Sequence, residues 1–162
     1  MKMSLLLALV GWAISLALPI FAQEKEDVPP FPFNPIPAGP QLVQQIEAIN
    51  QKFDEAFNKH DGAAVGALYT ANAVQSTPQG SFSGREAIEK YMIDLFQRHN
   101  PTDRVTKMGY VYAFGGDICA LGGWSVTIDS TKKFGGYLVN VYTQAGSSWK
   151  IRASIFKYLA AP

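Results

Sequence analysis

The apolar residues of this chain change period once, at Asn100-Pro101. Before that point they recur every three or four residues, the spacing of a buried helix face. After it they alternate, the spacing of a half-buried strand. Helices gathered before strands give an α+β domain, with the helices laid on one face of an antiparallel sheet. In Gln41 to Asn58 the stripe is Leu42, Ile46, Ile49, Phe53 and Phe57. Asp61 is placed to cap a second helix running to Leu68 or Tyr69. Ala73 to Gln75 reads as a short strand and Pro78-Gln79-Gly80 as a turn. Ser83-Gly84-Arg85-Glu86 fits a capping box with Ser83 as N-cap, and the helix it opens ends near His99, before Asn100-Pro101.

Beyond Pro101, four segments are rich in β-branched and aromatic residues: Arg104 to Phe114, Ile118 to Ile128, Lys133 to Thr143 and Trp149 to Tyr158. The breaks between them are short, as in antiparallel hairpins. Gly122-Gly123 marks a bulge or sharp bend. Three N-terminal helices packed on a strongly bent antiparallel sheet are expected over residues 41–160. Most of Tyr110, Tyr112, Trp124, Tyr137 and Trp149 are expected in the core.

The start of the chain has a different character. Lys2, an apolar run from Met3 to Leu18 and the small Ala22 before Gln23-Glu24-Lys25-Glu26-Asp27 read as a cleavable secretory signal over residues 1–22. The apolar run is shorter than the roughly 20 residues of a membrane span, so no membrane attachment is expected after cleavage, and the expected location is secreted or periplasmic. Residues 23–40 form a proline-rich extended spacer that prolines keep out of helix and central strand. Fourteen Lys and Arg face thirteen Asp and Glu, a balance that argues against a nucleic-acid partner. Residues 23–103 carry six basic and eleven acidic side chains, and residues 104–162 carry seven and two. The helical part is thus acidic and the strand part basic. The single cysteine, Cys119, excludes a disulfide framework within the chain. Together with two histidines far apart in sequence, it spells out no metal motif, and no cofactor is expected.

Phe53-Asp54-Glu55-Ala56-Phe57-Asn58-Lys59-His60-Asp61, followed by Ala67-Leu68-Tyr69-Thr70-Ala71-Asn72-Ala73-Val74, resembles the opening of the SnoaL-like branch of the NTF2-like superfamily. Gly80 to Ile88 resembles that family's turn into its third helix, and Ser148-Trp149-Lys150-Ile151 its closing strand. The resemblance implies a cone-shaped domain with a pocket between helices and curved sheet. It does not imply one activity, since this fold hosts isomerases, cyclases, dehydratases and plain binding or assembly modules. Ketosteroid isomerases of the superfamily use a tyrosine where this chain has Phe53 and an aspartate where it has Thr77. Phenylalanine donates no hydrogen bond and threonine is no base near neutral pH. Many relatives carry an acid shortly after the Trp-Lys-Ile of the last strand; here stand Arg152, Ala153, Ser154 and Ile155.

The residues themselves point the same way. None of the four strand segments contains Asp or Glu, and the helix acids Glu47, Asp54, Glu89 and Asp94 avoid the apolar stripes, as solvated residues do. His60 in the loop between helices is a candidate base only if that loop folds over the pocket. Asn140, a lone amide between Val139 and Val141, either orients a ligand or faces outward with Leu138 and Tyr142. The pocket candidates are Phe53, Phe57, His60, Thr77, Tyr91, Trp124 and Asn140. The expected function is binding of a small, largely apolar molecule; acid–base catalysis on such a molecule and a homo-oligomeric assembly module are the alternatives. By strand parity Lys150, Arg152 and Phe156 point away from a core face made of Trp149, Ile151 and Ala153. They are the candidates for a homodimer interface through the outer sheet face.

Overall fold

The computed structural model describes residues 36–159; the signal-sequence expectation and the spacer up to residue 35 lie outside the described residues. The first element is a two-residue strand, β1 (Ile36–Pro37), followed by helix α1 (Pro40–Asn58). Pro40 opens α1, where its missing N–H costs nothing. The buried stripe is Ile46, Ile49, Phe53, Ala56 and Phe57, with Asn50 beside it. Helix α2 (Gly62–Ala67) starts as expected, with Asp61 Oδ1 accepting from Ala64 N at 2.9 Å. It is only six residues long, because the chain leaves directly into strand β2 (Tyr69–Thr77), longer than the expected Ala73–Gln75.

Strand β3 (Gly80–Ser83) and helix α3 (Arg85–His99) correct the capping-box expectation. Ser83 is spent in the ladder opposite Val74, and Gly84 N donates to Ala73 O at 2.7 Å. Gly84 itself is the N-cap, at φ 88, a conformation that glycine adopts without a steric penalty. Four long strands follow: β4 (Thr102–Phe114), β5 (Asp117–Ile128), β6 (Lys132–Ala145) and β7 (Ser148–Tyr158).

The sheet order is β1-β4-β5-β6-β7-β2-β3. Its pairs are antiparallel except β2 with β7, which run parallel, so the all-antiparallel expectation fails at that one seam. Ile36 and Pro37 pair with Ala113 and Tyr112 on the edge of β4, a position where a proline's missing donor is harmless.

Extra residues in β7 and β4 decide which side chains face the helices. In β7, Ile151 pairs with Tyr142 and Ala153 with Val141, which leaves Arg152 with no opposite number. One inserted residue moves every later side chain to the other face. Ser154, Phe156 and Tyr158 therefore point inward, while Ala153, Ile155 and Lys157 point outward. In β4 the register shifts between Met108 and Tyr110, placing Tyr110 and Tyr112 outside and Val111 and Ala113 inside. Tyr110 and Tyr137, expected in the core, are more than half exposed on the outer face.

Glycine lets the strands approach. A Cβ on Gly136 would collide with the Lys157 carbonyl of β7, whereas one on Gly123 would meet only Gly136 O, at 3.7 Å. Gly136→Ala should therefore lower stability by about 1–3 kcal/mol, as overpacking does. Gly123→Ala should stay within about 0.5 kcal/mol of wild type. Urea denaturation of both variants checks the contrast.

Candidate functional site: an apolar cleft above a buried guanidinium

The core faces of β4, β5 and β7 and the inner stripe of α1 converge on Arg104. Its side chain is 6% exposed, although it is only the third residue of β4. The guanidinium carbon lies 5.0–5.2 Å from the ring centroids of Phe53, Phe57, Trp124 and Phe156. Each aromatic face offers a cation about 0.5–2 kcal/mol, the upper end where water is excluded. Asp54 supplies the counter-charge, with Oδ1 at 3.4 Å from Arg104 Nε. The contact is an ion pair whose geometry falls short of a hydrogen bond, and Nε has no hydrogen-bond partner.

Asp54 is fixed from the other side. It accepts from Thr106 N at 2.6 Å and from Thr106 Oγ1 at 2.8 Å. Burial pushes its carboxyl above the ordinary 3.8, against the opposing pull of Thr106 and Arg104. Burial likewise lowers Arg104, which Asp54 holds up. Each charge is thus disfavoured by desolvation and kept by its partner. The pair also joins the acidic helical part to the basic strand part. Asp54 was expected on the solvated surface, and Arg104 was not singled out at all.

Above the guanidinium lies a small chamber of about 50 Å³, with Gln75, Phe57, Trp124 and Phe156 in its wall as well as Arg104. Tyr91, Leu95, Val126, Ile128 and Tyr158 belong both to this wall and to that of an open cleft of about 860 Å³. The chamber is therefore the inward continuation of the cleft. The cleft lies between α3 and the ends of the strands, with Phe82 stacked on Tyr91 at 4.0 Å. Burial raises the Tyr91 hydroxyl, against the pull of Thr77.

Four of the seven pocket candidates meet in the chamber wall: Phe57, Thr77, Tyr91 and Trp124. Thr77 also holds its turn, donating to Gly80 O and accepting from Gln79 N, each at 3.2 Å. Phe53 packs beneath Arg104, outside the chamber wall. His60 is elsewhere: its ring stacks on Phe96 and its Nε2 lies 2.7 Å from Pro101 O. It ties the helix loop to the start of β4. Asn140 faces inward with Leu138 and Tyr142, which settles its orientation, yet it bonds Tyr142 and Ser154 and does not reach the chamber.

The interface candidates divide. Phe156 faces the chamber, because the extra residue Arg152 turns it inward. Lys150 donates to Ala67 O, and Arg152 pairs with Asp117 at 2.7 Å across the outer face. Among the described residues, no three His, Cys, Asp or Glu side chains form a group able to hold a metal ion.

With this geometry in view, the sequence profile of the SnoaL-like domain family matches residues 50–153. The chain belongs to the SnoaL-like family. Solved structures similar to it share the fold at low identity. One is a domain of unknown function with a cystatin-like fold from Nostoc punctiforme: 16% identity, TM-score 0.67, covering 76% of this chain and 81% of that one. Another is a ketosteroid isomerase-like protein from Erwinia carotovora atroseptica: 17% identity, TM-score 0.65, covering 76% and 100%. A third is a conserved protein from Planctomyces limnophilus: 15% identity, TM-score 0.61, covering 74% and 98%. No protein of curated function matches the sequence.

Removing one member of a buried ion pair costs about 3–5 kcal/mol, whereas replacing both by neutral groups is often neutral or stabilising. Arg104→Met should therefore cost about 3 kcal/mol at pH 7, and adding Asp54→Asn should restore most of it. Losing Arg104 raises the folded Asp54 carboxyl further. Its stability share is then complete below 3.8 and lost as pH rises through the folded value. The single variant should accordingly weaken from pH 4 to pH 7 more steeply than wild type, and the double variant should not. Denaturant titrations at several pH values check both the size and the slope.

Proposed function

We propose that this SnoaL-like domain binds a small, largely apolar molecule, with its body in the cleft and its end in the chamber above Arg104. The observation that carries the reading is the continuity of an apolar cleft of about 860 Å³ with a small chamber whose wall includes the buried Arg104 and Gln75. Small-molecule sites have this form: apolar walls, a few placed polar groups, and a volume of roughly 300–1,000 Å³. No Asp, Glu or His lines the chamber, and of Asp94 and His99 in the cleft wall the carboxylate is already paired with Lys90 and Arg98, which supports binding over acid–base turnover. An apolar dye whose fluorescence rises out of water should bind saturably, one per chain. Ala87→Trp, on the α3 wall of the cleft, should weaken it about tenfold or more. Fluorescence titration checks this; a variant that binds as tightly as wild type would move the site elsewhere.

The chain acts, in this reading, as an exported homodimer. Export is supported by the charge, apolar run and small residue of Met1 to Ala22. The dimer is supported by the outer sheet face, although not through Phe156. Tyr110, Leu121, Val139 and Ile155 form one row across β4, β5, β6 and β7, and Tyr112, Cys119, Val141 and Ala153 form the next. Tyr110, Leu121 and Ile155 are 64%, 39% and 55% exposed. An apolar band of this kind across a sheet marks a contact surface, and a two-fold contact would set it against itself. Native mass spectrometry of protein from its host should show two chains, each beginning at Gln23. Ile155→Lys should give single chains. A single wild-type chain at tens of micromolar, or a full-length mass in the exported fraction, would overturn the corresponding half of the proposal.

A further inference from the structure

The hydrogen bonds that end at Gln75 begin at a backbone carbonyl, which can only accept. Ile46 O takes Asn50 Nδ2 at 2.9 Å. Asn50 Oδ1 is therefore turned to Tyr142 and takes its hydroxyl proton at 2.8 Å. The Tyr142 oxygen, its proton committed, accepts from Asn140 Nδ2 at 2.9 Å. Asn140 Oδ1 then accepts the Ser154 hydroxyl at 2.7 Å. The Ser154 oxygen is left to accept from Tyr69 at 3.3 Å, and the Tyr69 oxygen accepts from Gln75 Nε2 at 3.2 Å. Reversing any one link sets two acceptors or two donors against each other.

The Gln75 amide therefore has one permitted orientation. Its Nε2 is held by Tyr69, and its Oε1 has no hydrogen-bond partner on a side chain that is 0% exposed. Burial pushes Tyr142 up to about 12 and Tyr69 also upward. Both hydroxyls keep their protons near neutral pH, so the sense of the chain does not change there.

Gln75 and Arg104 share the chamber wall. At about 50 Å³ the chamber admits an end group rather than a molecular body. That group meets a fixed acceptor at Gln75 and a guanidinium that can only donate. A hydroxyl answers both, with one proton to give and lone pairs to receive. A ketone or ester has no proton to give, and a carboxylate would bring negative charge against Oε1. Asp54 already balances the Arg104 charge, which removes the main attraction for an anion. We infer that the ligand is an apolar molecule ending in an alcohol or phenol hydroxyl, which donates to Gln75 Oε1. This inference rests on the ligand-binding reading above and specifies its ligand class.

A matched set of naphthalenes tests it: naphthylmethanol, acetonaphthone, naphthoate and methylnaphthalene, titrated against the full chain by their own fluorescence. The alcohol should bind wild type about tenfold tighter than the ketone, the carboxylate and the hydrocarbon. Gln75→Met should erase that preference while methylnaphthalene binding persists, which also shows that the variant is folded. Tyr142→Phe is informative because Tyr142 is absent from the chamber wall. It cuts the chain of bonds, frees Gln75 to turn either end inward, and should bring the alcohol-to-ketone ratio toward one. A role in packing alone would leave that ratio unchanged. Equal binding of alcohol, ketone and hydrocarbon to wild type would overturn the inference alone. A set in which none binds, methylnaphthalene included, would overturn the binding reading with it.

Discussion

The structure turns on one buried charge. A guanidinium withdrawn from water costs several kcal/mol unless its surroundings replace the lost hydration. Around Arg104 the replacement comes from every layer: Phe53 and Phe57 from α1, Trp124 from β5, Phe156 from β7, and the carboxylate of Asp54. Asp54 must in turn be held, which Thr106 does from the same strand as Arg104. These contacts draw helix and sheet together at the inner end of the cleft. They also explain why an apolar cavity ends on polar atoms.

A second polar system runs beside the first and never touches solvent. Asn50, Tyr142, Asn140, Ser154, Tyr69 and Gln75 cross from α1 through β6 and β7 to β2. A buried amide or hydroxyl left unpaired costs about 1–3 kcal/mol, so a row of six needs every link made. The two ends of the row differ. One is anchored on the Ile46 carbonyl and the other stops at Gln75, a residue of the chamber wall whose Oε1 has no hydrogen-bond partner. A polar row that runs from a helix backbone to a cavity gives the cavity a defined polarity, which an isolated glutamine, free to turn over, would not.

Much of the fold was legible because period and punctuation are local. The stripe of α1, the Asp61 cap, the stop at Asn100-Pro101 and the four long strands lie where the sequence places them, to within a residue or two at each end. What was hidden depends on pairing. Nothing in Trp149 to Tyr158 announces that Arg152 has no residue opposite it on β6, yet that one residue sends Phe156 to the chamber and Ile155 to the outer face. The candidate site shows the same limit. Phe57, Tyr91 and Trp124 follow from helix and strand position and Thr77 from the family resemblance, but an arginine at a strand start and an aspartate off the apolar stripe both read as solvated. Only the burial of Arg104 reveals that Asp54 is its counter-charge. Gln75 was overlooked because its role is set by partners as distant in sequence as Ser154.

Nuclear magnetic resonance of the Arg104 Nε–H group reads directly whether a charged guanidinium is enclosed by aromatic faces in the wall of the chamber. The expected resonance exchanges slowly with water at neutral pH, lies well upfield of an exposed arginine because of the four rings, and moves when an apolar alcohol is added. An Nε–H signal at the position of a solvated arginine, exchanging rapidly and indifferent to the ligand, would contradict it.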